Sequence, residues 1–157
     1  MKHFGDVSVE VGDDFVAEVE IHRAPNNFFD VPMLKDLADA YALLDNDPSC
    51  RAIVLCSEGR HFCAGAQFSP QSGSAEPEGG AAGLYAEAVR LFRASIPVVA
   101  AVQGAAVGGG LGLACSADFR VAASESRFTA NFAQLGFHHG FGLSVTLPLI
   151  VGHQRAL

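Results

Sequence analysis

The chain has 157 residues, half of them hydrophobic and 17% charged, with a formal net charge of −7. That length is one ordinary domain, residues 1–157, able to bury roughly 68–70% of its unfolded surface, and the composition excludes a disordered chain. An acidic balance with no basic run argues against nucleic acid or an anionic membrane as the main partner.

The opening Met1–Asp6 stretch carries no apolar signal-peptide core. Val7, Val9 and Val11 then alternate with Ser8 and Glu10, and Phe15, Ala17, Val19 and Ile21 alternate with Glu18, Glu20 and His22. With Gly12-Asp13-Asp14 as the turn, this predicts a hairpin with one wet face. A loop through Ala24–Asp30 follows. Asp30 and Pro32 are helix-start signals, and Leu34, Leu37, Ala38, Tyr41 and Leu44 recur at helical spacing until Asp47-Pro48. Ala52–Cys56 reads as a buried strand. A strand, helix, strand order predicts a crossover connection and an α/β fold.

Ser57–Gln67 reads as a loop of small and polar residues, and Ser69–Gly83 as a low-complexity, mobile insertion within the domain. Leu84, Ala88, Leu91 and Phe92 mark a second amphipathic helix. Pro97–Val102 is another buried strand, Gly104–Gly110 is glycine-rich, and Leu111–Ala117 reads as a short apolar helix. Asp118–Ala122 and Arg127–Phe132 read as extended pieces, and Leu143–Leu157 as an apolar helix containing Pro148. The longest apolar stretch, Ile96–Leu113, is interrupted by Pro97, Gln103 and five glycines and does not read as a membrane span. Cys50, Cys56, Cys63 and Cys115 have no Cys-x-x-Cys spacing, so free thiols in a cytoplasmic protein are expected.

Two segments stand out for chemistry. Gly104–Gly112 follows a strand and opens a helix, where glycines admit close approach and free N–H groups favour negative charge. Close packing of helix on sheet is the structural account of the same residues. No Gly-Lys-Ser/Thr follows, and Gly-x-Gly-x-x-Gly is not matched, so a nucleotide-binding oxidoreductase is a weak rival. The second segment, Gly59–Phe68, alone says tight turn. Gly142-Leu143-Ser144-Val145-Thr146 fails the Gly-x-Ser-x-Gly pattern. His138-His139 has no carboxylate or cysteine close by in sequence, so no metal site is expected.

Together, Phe-Cys-Ala-Gly-Ala at 62–66 and Val-Gly-Gly-Gly-Leu at 107–111 resemble the crotonase (enoyl-CoA hydratase/isomerase) superfamily in type and spacing. Ala24-Pro25-Asn26-Asn27, Pro97–Gly104, Ser116-Ala117-Asp118, Leu135-Gly136-Phe137 and Val151–Ala156 are similar to family stretches as well. The resemblance implies a ββα spiral core, here lacking the C-terminal helical part. It implies an acyl-CoA thioester as partner, with coenzyme A brought by the substrate and no separate cofactor. A homotrimer or dimer of trimers is expected by the same likeness.

By motif position, the backbone N–H groups of Ala66 and Gly109 form an oxyanion hole for the thioester carbonyl, a device whose donors are each worth roughly 2.7–4 kcal/mol. The substrate is expected against Asn26, Phe28, Ala64, Gly65, Gln67, Phe68, Gly110, Phe132 and Gly140. The departures are as informative. The positions of the two hydratase glutamates hold Gly112 and Phe132, and a further carboxylate position of the isomerases holds Gly140. His138 and His139 are the candidate acid–base groups in their place. The two readings are thus an enzyme working through a stabilised enolate and a non-catalytic acyl-CoA binder.

Overall fold

In the computed structural model, residues 1–67 and 80–157 are described. The expected Phe68 contact and most of the expected mobile insertion lie outside them.

The N-terminal hairpin is β2 (Val7–Val11) and β3 (Val16–Ile21), and a short β1 (Lys2–Phe4), too brief to carry a pattern, pairs antiparallel with β2. Phe15 belongs to the turn and not to the strand. Its φ is +66°, it is half-exposed, and the Arg51 guanidinium lies 4.2 Å over its ring. Ser8 departs from the wet-face expectation too: it is buried, with its Oγ 2.8 Å from His22 Nε2.

Helix α1 (Val31–Leu44) starts as its signals predict, with the Asp30 carboxylate accepting from the Met33 N–H at 3.0 Å and Pro32 in the first turn. Its buried stripe of Met33, Leu34, Leu37, Ala38, Tyr41 and Leu44 packs on the sheet. Parallel strands β4 (Ala52–Ser57) and β5 (Val98–Val102) follow, separated by α2 (Gly80–Leu91). Helix α2 starts at Gly80, inside the segment whose glycines predict a loop. A second, two-stranded parallel sheet pairs β6 (Ala105–Val107) with β8 (Arg127–Thr129), and β7 (Phe119–Ala122) closes the main sheet. The main sheet runs β1-β2-β3-β4-β5-β7, parallel from β3 onward.

Helix α3 (Gly109–Ser116) begins two residues before its expected start. The predicted C-terminal helix is two pieces, α4 (Leu143–Val151) and α5 (His153–Ala156), because Gly152 takes φ +84°. Among the described residues no helix is long and apolar enough to cross a membrane.

An ion-pair cluster ties α2 to α1. Asp39 receives hydrogen bonds from Lys35 at 2.6 Å and from Arg90, which also reaches Glu87 at 2.6 Å. These donors, Lys35 first, hold the Asp39 carboxyl below its ordinary value. Its contribution is therefore present above the ordinary carboxylate pKa of about 3.9 and is lost as pH falls through the lower folded value. The Arg90 and Asp39 side chains are each a third exposed, so screening limits the effect. Arg90→Met is expected to cost about 0.5 kcal/mol near neutral pH. The gap to the parent should close as pH drops from about 4 toward 2, read as urea midpoints across that range.

Candidate active site

Two loops and one helix end build the site. Asn27 is fully buried at φ +49°, and its Nδ2 donates to the carbonyls of Glu58 at 2.8 Å and His61 at 2.6 Å. Its Oδ1 accepts from the Arg23 N–H at 2.9 Å. This fastens the 23–29 loop to the 58–66 loop. The second loop is held along both edges. Phe62 and Cys63 donate to Gln103 and Ala105 at 2.9 and 3.0 Å, and Val107 donates to Cys63 at 3.0 Å. Ala64 donates to the Asn26 carbonyl at 2.9 Å.

Phe29 then pairs with Ala66 as an isolated parallel bridge, donating to Gly65 O at 3.0 Å and accepting from Gln67 N–H at 2.8 Å. In a parallel bridge the central residue's own N–H and C=O point away from the partner. The Ala66 N–H accordingly has no acceptor among the described residues.

Across from it, Gly108 donates to Thr129 O at 2.8 Å and turns the chain with φ +56°, a conformation glycine adopts at little cost. Helix α3 starts at the next residue, so the Gly109 N–H is one of the orphan donors of a first turn, again without an acceptor among the described residues. The helix dipole places partial positive charge there.

Ala66 and Gly109 line one cavity of about 350 Å³ together with Ala64, Gly65, Phe132, His138 and Gly140. Phe29, Tyr85, Phe137 and Phe141 complete its aromatic wall, and Asn131 adds a polar group. Its lining among the described residues holds no carboxylate, lysine or arginine. Titratable chemistry there rests on His138 and Tyr85. The His138 Nδ1 lies 2.9 Å from the His139 carbonyl, which can only accept, so Nδ1 carries the proton and the neutral ring keeps its lone pair on Nε2. The two imidazoles stack at 4.1 Å.

The remaining sequence candidates sit elsewhere. His139 lines two neighbouring clefts and not this cavity. Phe28 is half-exposed, and its buried neighbour Phe29 is the ring that reaches the cavity. Asn26 contributes its carbonyl to the loop, and Gln67 is exposed beside the cavity. Gly110 has a packing reason: a Cβ there would overlap the Cys63 carbonyl oxygen and lie 2.8 Å from its carbon.

The Gly112 position is closed as well, because a Cβ would come within 2.7 Å of the buried Phe141 ring. A longer acidic side chain has no room there. All four cysteines are free thiols, and burial pushes Cys63 up to about 12, so it is protonated at neutral pH.

Tyr85 is the cavity residue that sequence reasoning missed, a lone aromatic on a half-exposed helix. Phe29 reads in the sequence as one of several phenylalanines near these loops (Phe28, Phe29, Phe132, Phe137 and Phe141) that fit an aromatic-walled acyl pocket or plain core packing.

A family model described as enoyl-CoA hydratase/isomerase matches residues 12–157. The chain belongs to that family. A probable enoyl-CoA hydratase of Mycobacterium tuberculosis is 39% identical over 126 residues, 79% of this chain and 49% of that protein. The 4-chlorobenzoyl coenzyme A dehalogenase-2 of an Arthrobacter species is 34% identical over 158 residues, 96% of this chain and 57% of that protein. A crystal structure of an enoyl-CoA hydratase from Mycobacterium avium subsp. paratuberculosis superimposes with a TM-score of 0.84 at 30% identity, covering 99% of this chain and 62% of that one. The mixed α/β fold is thus that of the enoyl-CoA hydratase/isomerase family, and the chain spans about half the length of the relatives it matches.

Proposed function

We propose that the chain binds an acyl-CoA thioester with its carbonyl oxygen between the Ala66 and Gly109 N–H groups, and that these donors stabilise an enolate or oxyanion. The observation that carries this reading is a pair of backbone donors that line one cavity and find no acceptor among the described residues, the described lining holding no carboxylate. Fixed dipoles in such a site act on developing negative charge without reorganising. His138 Nε2 is the proposed base. Hydration by paired carboxylates is not supported, since Gly112, Phe132 and Gly140 offer none.

Acetoacetyl-CoA is the diagnostic ligand, because its enolate absorbs in the ultraviolet and an oxyanion hole raises the enolate fraction. Calorimetric titration is expected to give saturable binding with a growing enolate band, and NAD is expected to give neither. Binding without enolate growth would sink the oxyanion assignment. Gly109 is a poor place to test it, since a Cβ there would overlap the Phe29 ring. Ala66→Pro removes the other N–H. It should lower the enolate signal about a hundredfold, matching the loss of one such donor, in a variant with parental circular dichroism.

The second reading, a non-catalytic acyl-CoA binder, is favoured by the same lack of carboxylates among the described lining residues. A broad thioester panel without turnover, alongside retained acetoacetyl-CoA binding, would select it. Self-association belongs to the proposal too. Phe119, Val121, Leu149 and Ile150 leave apolar surface exposed, and sedimentation velocity is expected to report a trimer.

A further inference from the structure

The aromatic residues of the cavity are not loose filler. Phe29 sits against Gly109, Phe141 against Gly112 and Tyr85 against Gly140. At each of these glycines a Cβ would come within 3.0 Å of the facing ring. Phe29 and Phe141 therefore rest on bare backbone, and main-chain atoms that cannot swing aside set their positions, whereas Tyr85 meets Gly140 through its hydroxyl end from a half-exposed helix position. Phe29 and Phe141 also brace each other edge to face, with centroids 5.4 Å apart and planes at 67°, and both are almost fully buried. Phe132 and Phe137 add two more rings to the wall.

Resting on the thioester reading above, we propose that the acyl group this cavity takes is planar and conjugated, an aromatic acyl thioester in the first instance. Walls fixed in this way form a slot. A rigid flat group enters it with no rotors to freeze, whereas a saturated chain must give up its freedom to match walls that will not move. A ring face or edge also meets the quadrupoles of the surrounding rings, which a saturated ring of the same carbon number cannot do. With no carboxylate, lysine or arginine among the described lining residues, a neutral acyl group is the chemical match.

The test compares benzoyl-CoA with cyclohexanecarbonyl-CoA and heptanoyl-CoA, equal in carbon count, by calorimetric titration of the whole chain. Benzoyl-CoA is expected to bind at least tenfold tighter than either. Phe132→Leu should shrink that preference to about threefold or less. Tyr85→Leu, at a half-exposed helix position, should shrink it too should Phe132→Leu not fold. Equal or tighter binding of the saturated acyl groups, with acetoacetyl-CoA still bound, would overturn the aromatic assignment and leave the thioester site standing. Failure of every thioester, acetoacetyl-CoA included, would overturn both.

Discussion

Replacing Asn27 by alanine is expected to lower stability by about 3 kcal/mol and to weaken acetoacetyl-CoA binding at least tenfold. Three hydrogen bonds end on its amide, all from loop backbone: the Arg23 N–H and the carbonyls of Glu58 and His61. The His61 carbonyl keeps a second donor in the Ser57 hydroxyl at 3.3 Å, whereas the Arg23 N–H and the Glu58 carbonyl keep no other partner among the described residues. A buried polar group left unpaired costs about 1–3 kcal/mol. Asn27 also sits at φ +49°, a region that asparagine tolerates better than alanine. Asn27→Gly separates the two contributions. Glycine accepts the dihedral but restores no hydrogen bond, so it should recover only the smaller share. Urea denaturation that finds Asn27→Gly as stable as the parent would show that the amide bonds contribute nothing. The loss of binding follows from the same loops, since the 58–66 segment carries Ala66 and the 23–29 segment carries the Phe29 that bridges to it.

The regular parts of this chain were legible because they obey a period. Ala17, Val19 and Ile21 alternate, α1 announces its start at Asp30 and Pro32, and Ala52–Cys56 is a plain apolar run. What escaped was whatever tertiary contacts decide. Gly80–Gly83 reads as loop by composition yet forms the first turn of α2. Gly152 cuts an uninterrupted apolar pattern through its dihedral alone.

At the site, the positions of Ala66 and Gly109 were legible as motifs, but their shared cavity depends on two loops joined by Asn27, by backbone bonds such as Ala64 to Asn26 and by the bridge to Phe29. Within the glycine-rich segment, Gly109 has a backbone N–H without an acceptor among the described residues, which the proposal uses as a donor, and Gly110, expected to touch substrate, leaves room for another backbone. Spacing alone gives no way to divide those roles, because the dividing facts are distances to Cys63 and Phe29.

That division makes Gly110 the most sensitive position in the catalytic proposal. Gly110→Ala would drive a Cβ into the Cys63 carbonyl. Cys63 is pinned by hydrogen bonds on both sides, to Ala105 and from Val107, and its peptide cannot rotate away without opening the Cys63–Ala106 bridge. The start of α3 must move instead. Overpacking of this kind costs about 1–3 kcal/mol even where neighbours relax, and backbone neighbours relax least.

The functional effect should be larger than the stability effect. Cys63 is three residues before Ala66 and Gly110 one after Gly109, so this contact sets the separation of the two N–H donors. A 1 Å displacement at a preorganised site can cost about a hundredfold. Gly110→Ala is therefore expected to stay folded by circular dichroism, unfold at lower urea, and lose the enolate band of bound acetoacetyl-CoA. Gly109→Ala meets the Phe29 side chain first, a ring that can shift where a peptide cannot, so it should unfold at higher urea than Gly110→Ala and keep more of the enolate signal. An enolate band of parental strength in folded Gly110→Ala would mean that the separation of Ala66 and Gly109 does not control the charge on the ligand, and the oxyanion assignment would fall with it.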